Sequence, residues 1–114
     1  MQKGRPQKKK IIHEQPRIDH FSPKGRPEFP DEIELSIEEY ESVRLSDFMR
    51  LQQKQAAEMM GISQQSFSRI IRAARSKIAD AIVNAKVIHI KGGNFVNKRC
   101  LDVANKLKRR KTTN

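Results

Sequence analysis

Cysteine is nearly missing from this sequence: Cys100 stands alone among 114 residues. One thiol can form no intrachain disulfide and no cysteine-rich metal site, which fits a cytoplasmic protein and not a secreted scaffold. Tryptophan is absent and aromatic residues make up 5%. With a hydrophobic share of 36% and a mean hydropathy of -0.77, the chain can bury a small helical core. A large sandwich, or an enzyme with a deep cleft, is not expected from so little apolar material. No apolar run is long enough to cross a membrane, and no signal-peptide core is seen. His13, His20 and His89 are scattered without metal-ligand spacing and read as surface or structural side chains, so no metal or other cofactor is expected. Ser63, Ser66 and Ser68 lack a histidine or aspartate partner pattern, which argues against nucleophilic catalysis. Gly92-Gly93 reads as a turn and not a phosphate loop, because no helix opening on Gly-Lys-Ser/Thr follows.

What the sequence has in excess is positive charge, formally +11. Its placement is uneven: residues 1–30 carry +5, residues 31–60 carry −5, residues 61–91 carry +5 and residues 92–114 carry +6. The basic character is therefore local, and a polyanion is the first partner to consider. The competing reading is a generic basic surface.

Residues 1–15 read as a basic N-terminal arm, 16–95 as the folded domain and 96–114 as a basic C-terminal tail. "MQKGRPQKKK" has almost no apolar content and is expected to be disordered. Pro16, Pro23, Pro27 and Pro30 exclude a long helix before residue 31. Short extended pieces are expected at Ile11-Ile12 and Ile33–Leu35. Ser36 and Glu39 form a capping box that opens a first helix over 37–49. Ile37, Tyr40, Val43 or Leu45, and Phe48 recur there at helical spacing, opposite an outer face rich in glutamate. A short second helix spans Gln53–Met60 and stops at Gly61, which accepts a left-handed backbone. Ser63 caps a long third helix over 64–86, with the stripe Phe67, Ile70, Ile71, Ala74, Ile78, Ala81, Ile82 and Ala85. A strand over 87–90 follows, and Ile33–Leu35 is its most natural partner.

Within this frame, Gln53 to Arg72 has the layout of a helix-turn-helix. Ala57 allows close helix packing, Gly61 makes the turn, Ile62 fills the corner, and Phe67 and Ile70 hold the second helix of the pair on the first. A plain helical hairpin would satisfy the same pattern; the charge asymmetry favours DNA. The start of the later helix would then enter the major groove. Gln64, Gln65, Ser68 and Arg69 are the candidates for base edges, since Gln can pair bidentately with adenine and Arg with guanine. Lys54, Arg72, Arg75 and Lys77 are candidates for phosphates. "KGRP" occurs twice. The first copy, in an arm comprising Lys3, Arg5, Lys8, Lys9 and Lys10, reads either as a minor-groove clip or as plain phosphate attraction. The second is followed by Glu28, Asp31 and Glu32 and reads as a turn.

"HFSPKGRP", "IELSIEEYESVRLSDF" and "QQKQAAEMMGISQQSFSRIIRAARSKIADAIVNAKVIHIKGGNF" together resemble a family of small, uncharacterised prokaryotic predicted DNA-binding proteins. That family has an "RLAD" helix, a "QEEAAERMGVSRPTFSRI" motif, an "ARRKVADAL" continuation and a closing "IEGG". The resemblance covers roughly residues 16–95. It implies a helix-turn-helix like that of sigma factor region four, and a transcriptional regulator. Three departures stand out. Arg50 occupies a place where Gly is usual, Lys54-Gln55 replaces an acidic pair, and Gln64-Gln65 replaces Arg-Pro at the start of the reading helix.

The expectation is a mainly α fold: a three-helix helix-turn-helix core with a small β element and basic termini, binding double-stranded DNA. One such helix reads few base pairs, which points to a homodimer on a repeated or palindromic site. Ile78, Ile82 and Ala85 would either form its interface or pack on the first helix and the strand. The rival functions are a non-specific nucleoid-type protein, an RNA-binding module using the same charge, and an adaptor docking through the acidic first helix.

Overall fold

In the computed structural model, which describes residues 9–25 and 30–98, three helices carry the core. Helix α1 (Ile37–Val43) opens on the anticipated capping box: the Glu39 amide donates to Ser36 Oγ at 3.1 Å and the Ser36 amide to Glu39 Oε1 at 2.9 Å. The helix does not continue regularly to residue 49. It widens into a π-helical turn, Arg44–Phe48, with the Met49 amide on the Arg44 carbonyl at 2.9 Å. A wider turn shifts every later side chain around the axis. Leu45, the alternative to Val43 on the expected stripe, is buried, whereas Phe48, expected on the same stripe, is 81% exposed.

Helix α2 (Gln53–Met60) and helix α3 (Gln64–Asn84) are joined by a tight turn. Gly61 has φ +70°, and a Cβ there would also meet Ile11 Cδ1 at 3.2 Å. The Ile62 amide returns to the Ala57 carbonyl at 3.0 Å, closing α2. Ser63 then caps α3, its Oγ accepting from the Ser66 amide at 3.0 Å. The long helix ends at Asn84, two residues before the expected Lys86, because Ala85 adopts φ +52°.

Two apolar clusters share α3. Its first half places Phe67 and Ile71 against Leu45, Ala56, Ala57 and Met60, with Leu51 and Ile62 around them. Ile71, not Ile70, completes this cluster. The second half places Ala74 and Ile78 against Leu35 and Ile90, beneath Ile37 and Tyr40. Val43 touches both clusters, so α1 ties the halves together. Burial of a side chain such as Phe67 contributes about 1.5–3 kcal/mol. The stripe ends earlier than its spacing suggests: Ile82 is 74% exposed and Ala85 also faces solvent.

The β structure is more extensive than a single strand pair. Strands β1 (Lys10–Ile12), β2 (His20–Phe21), β3 (Glu32–Leu35), β4 (Val87–Ile90) and β5 (Phe95–Asn97) form two small sheets. The pairing of β3 with β4 is the expected one, parallel, with Ile33 opposite Ile88 and Leu35 opposite Ile90. β2 adds to the other edge of β4 in antiparallel register. β1 pairs in parallel with β5, Ile12 opposite Asn97. β1 thus lies before the expected 16–95 unit, and β5 runs two residues past its end. Ile12 is completely buried, and β-branched Ile11-Ile12 finds both a strand partner and an apolar surface against α2.

Arg50 ends the π-helical turn at φ +60°, a conformation costing a non-glycine residue roughly 1–2 kcal/mol. Its side chain is exposed. Arg50→Gly is therefore expected to stabilise the protein by about 1 kcal/mol, which thermal melting would register as a rise of about 4–8 °C. An unchanged or lower Tm would mean that the arginine side chain supplies more than its backbone conformation costs.

Candidate nucleic-acid interface

The expected base-reading residues share one open face of α3. Gln64, Gln65 and Arg69 are exposed and Ser68 is half-buried. Gln65, Ser68, Arg69, Arg72, Ala73 and Ser76 line a shallow groove along that face. The helix presents Phe67 and Ile71 to the core on the opposite side, so the groove follows from the 3.6-residue period. The Ser63 cap holds the first turn of α3 in place beside Gln64 and Gln65.

The four expected phosphate ligands divide into two kinds. Lys54 and Arg72 are exposed, and like Arg69 they form no ion pair with any other described residue. Arg75 instead forks onto Asp47, with Nη2 2.8 Å from Oδ1 and Nε 3.2 Å from Oδ2. That hydrogen bond raises the already high pKa of the guanidinium. Lys77 lies 2.8 Å from Glu39 Oε1, the same oxygen that receives the Ser36 amide. Both cations thus clamp α3 to α1 and its π-helical extension. Free cations lie toward the start of α3, and committed ones lie beyond it.

The arm residues divide as well. Lys3, Arg5 and Lys8 lie outside the described residues. Lys9 is exposed. Lys10 belongs to β1, and its Nζ lies 3.4 Å from Glu38 Oε2 with only 16% of its side chain exposed, so it is not part of a free clip. Of the second "KGRP", Lys24 and Gly25 occupy a turn, with Gly25 at φ +76°; Arg26 and Pro27 lie outside the described residues.

The glutamates of α1 do not form a solvated acidic face. Glu38 accepts from the Asn94 amide at 2.6 Å and pairs with Lys10. A Cβ at Gly93 would come within 2.8 Å of the same Glu38 oxygen, so this position takes no larger residue without displacing it. Glu41 is completely buried. Its Oε2 accepts the His13 amide at 3.0 Å, and the Arg44 guanidinium bridges both carboxylate oxygens at 2.9 and 3.1 Å. The Glu41 hydrogen bond is the main reason that the Arg44 pKa is raised. These acids bind the N-terminal strand and the β4–β5 loop to α1, which leaves little of them to dock a basic partner. No spacing rule pointed to this, since each partner comes from a distant part of the chain.

The histidines also depart from expectation. His20 and His89 are not scattered in space: their rings stack, with centroids 3.9 Å apart. His13 stays apart from them, its Nε2 2.9 Å from the Met59 carbonyl. Among the described residues, no helix is long and apolar enough to cross a membrane.

Comparison with known proteins finds relatives that match most of this chain. It is 46% identical to the UPF0251 protein Teth39_0655 of Thermoanaerobacter pseudethanolicus over 92 residues, covering 80% of this chain and 78% of that one. It is 43% identical to the UPF0251 protein MmarC5_0986 of Methanococcus maripaludis over 99 residues, covering 86% and 76% respectively. A UPF0251 protein of Caldicellulosiruptor bescii is 46% identical over 85 residues, 75% of this chain and 59% of that one. No solved structure matches the chain. The family described as "Protein of unknown function DUF134" matches residues 1–98. Coverage of nearly the whole folded unit, with such identities to bacterial and archaeal relatives, shows that the chain belongs to this family of uncharacterised prokaryotic proteins.

Proposed function

We propose that this protein binds double-stranded DNA as a transcriptional regulator, using α2, the Gly61 turn and α3 as a helix-turn-helix of the sigma factor region-four kind. The observation that carries this reading is the division of cations on α3. Arg69 and Arg72 form no ion pair among the described residues and stand beside Gln64 and Gln65 on its exposed first half, while Arg75 and Lys77 are held in intramolecular ion pairs. Gln and Arg side chains can each make bidentate contacts with a purine edge. Lys54 and Arg72 would neutralise flanking phosphates, with Lys9 and the basic residues on either side of the folded unit adding affinity. The protein would act in the cytoplasm and without catalysing a reaction. Ile82 and Val83, 74% and 79% exposed, offer apolar surface for the homodimer that a short recognition helix calls for.

Selection from a random duplex pool, followed by competition with RNA, tests the proposal. A shared motif should be enriched, and duplex should outcompete RNA of equal length. Affinity should fall with salt with a log–log slope of about −0.9 for each phosphate contacted. If bound duplexes share no motif, the nucleoid-type reading replaces this one; if RNA wins, the RNA-binding reading does. Sedimentation at the monomer mass with and without DNA would remove the homodimer.

A further inference from the structure

Side chains from two distant parts of the chain meet where β2 lies along β4 in the three-stranded sheet. His20 of β2 faces His89 of β4 in antiparallel register. Their rings are inclined by only 21°. Asp19, immediately before β2, has Oδ1 3.0 Å from His20 Nδ1. One ligand atom from each of Asp19, His20 and His89 lies within 4.8 Å of the other two. On the far side, Glu32 Oε2 of β3 lies 3.1 Å from His89 Nδ1. An imidazole that donates from Nδ1 to a carboxylate keeps its lone pair on Nε2, and this outer partner orients the ring and makes it a better metal ligand.

The core does not require this arrangement. Asp19 and His20 are exposed, and β2 is two residues long. The geometry points to a binding site for a divalent first-row transition metal of the zinc class, with Asp19, His20 and His89 as ligands and Glu32 positioning His89. Two imidazole nitrogens and one carboxylate oxygen suit zinc, whereas calcium and magnesium take oxygen ligands. Three protein ligands leave a fourth position for water. With metal–ligand bonds of about 2.0–2.2 Å, tetrahedral ligand atoms sit roughly 3.3 Å apart. Rotation of the exposed Asp19 and His20 side chains closes that distance without repacking the core. The bound ion would fasten β2 to β4, the strand that packs under α3 through Ile90.

The test is a calorimetric titration of Zn2+ into the full chain in a Cys100→Ser background, which removes the one thiol, with thermal melting alongside. One equivalent should bind and raise the Tm, and Mg2+ should do neither. His20→Ala and His89→Ala should each abolish that binding, Glu32→Ala should weaken it about tenfold, and His13→Ala should leave it unchanged. Circular dichroism checks that each variant folds. In the chain without histidine substitutions, the ring proton signals of His20 and His89 should shift on adding Zn2+ while those of His13 stay. Absence of binding, binding that survives loss of either His20 or His89, or a shift at His13 instead would overturn the site.

Discussion

Glu41→Ala is expected to cost about 3–5 kcal/mol of stability, the usual consequence of stranding one member of a buried ion pair. The Glu41 side chain has no exposed surface, and the Arg44 side chain is only 12% exposed. Without the carboxylate, the guanidinium keeps, among the described residues, only Glu14, 3.9 Å away, and the Met49 sulfur, 3.3 Å away. The His13 amide loses its acceptor as well, which loosens the attachment of the N-terminal segment. For a domain of this size, about 4–8 °C is lost per kcal/mol, so the Tm should fall by more than about 12 °C. Combining Glu41→Ala with Arg44→Met should recover a large part of the loss, because the uncompensated charge is removed too. A melt of Glu41→Ala within a few degrees of the parent would show that water or rearrangement satisfies Arg44.

Arg69→Ala and Arg72→Ala are expected to weaken DNA binding in different ways. Loss of a bidentate base contact costs about 1–3 kcal/mol, roughly 5- to 150-fold, and relaxes the preference at that base pair. Arg69→Ala should therefore flatten one position of the selected motif. Arg72→Ala should weaken all duplexes alike and reduce the salt slope by about 1. Arg75→Ala should change DNA affinity less than Arg72→Ala, because Arg75 is already forked onto Asp47. Quantitative binding to the selected duplex and to single-base variants of it separates these outcomes. If Arg69→Ala leaves the preference intact, α3 does not read bases through that residue. If Arg75→Ala weakens binding most, the ion pair with Asp47 opens on DNA and the division of cations proposed above is wrong.

The sequence by itself determined whatever depends on interactions within a turn or two. The Ser36–Glu39 box, the bounds of α2, the left-handed Gly61 and the Ser63 cap were legible because a cap needs only its neighbours three residues away. The placement of Phe67, Ile71 and Ala74 on one face followed from the helical period. The pairing of β3 with β4 was also legible, since few β-branched runs were available to pair.

Only the tertiary structure decided which charges are free and which are committed. Lys10, Arg75 and Lys77 looked like Lys54 and Arg72 in the sequence, and they differ because Glu38, Asp47 and Glu39 come within reach of the former set. The same holds for Glu41, buried once the segment through His13 folds over α1, and for His20 and His89, made neighbours by the strand register. A single π-helical turn, invisible to a periodicity of 3.6, turned Phe48 outward. An ion pair or a ring stack depends on the meeting of distant segments, and that meeting is set by the packing of the whole chain rather than by the spacing of residues along it.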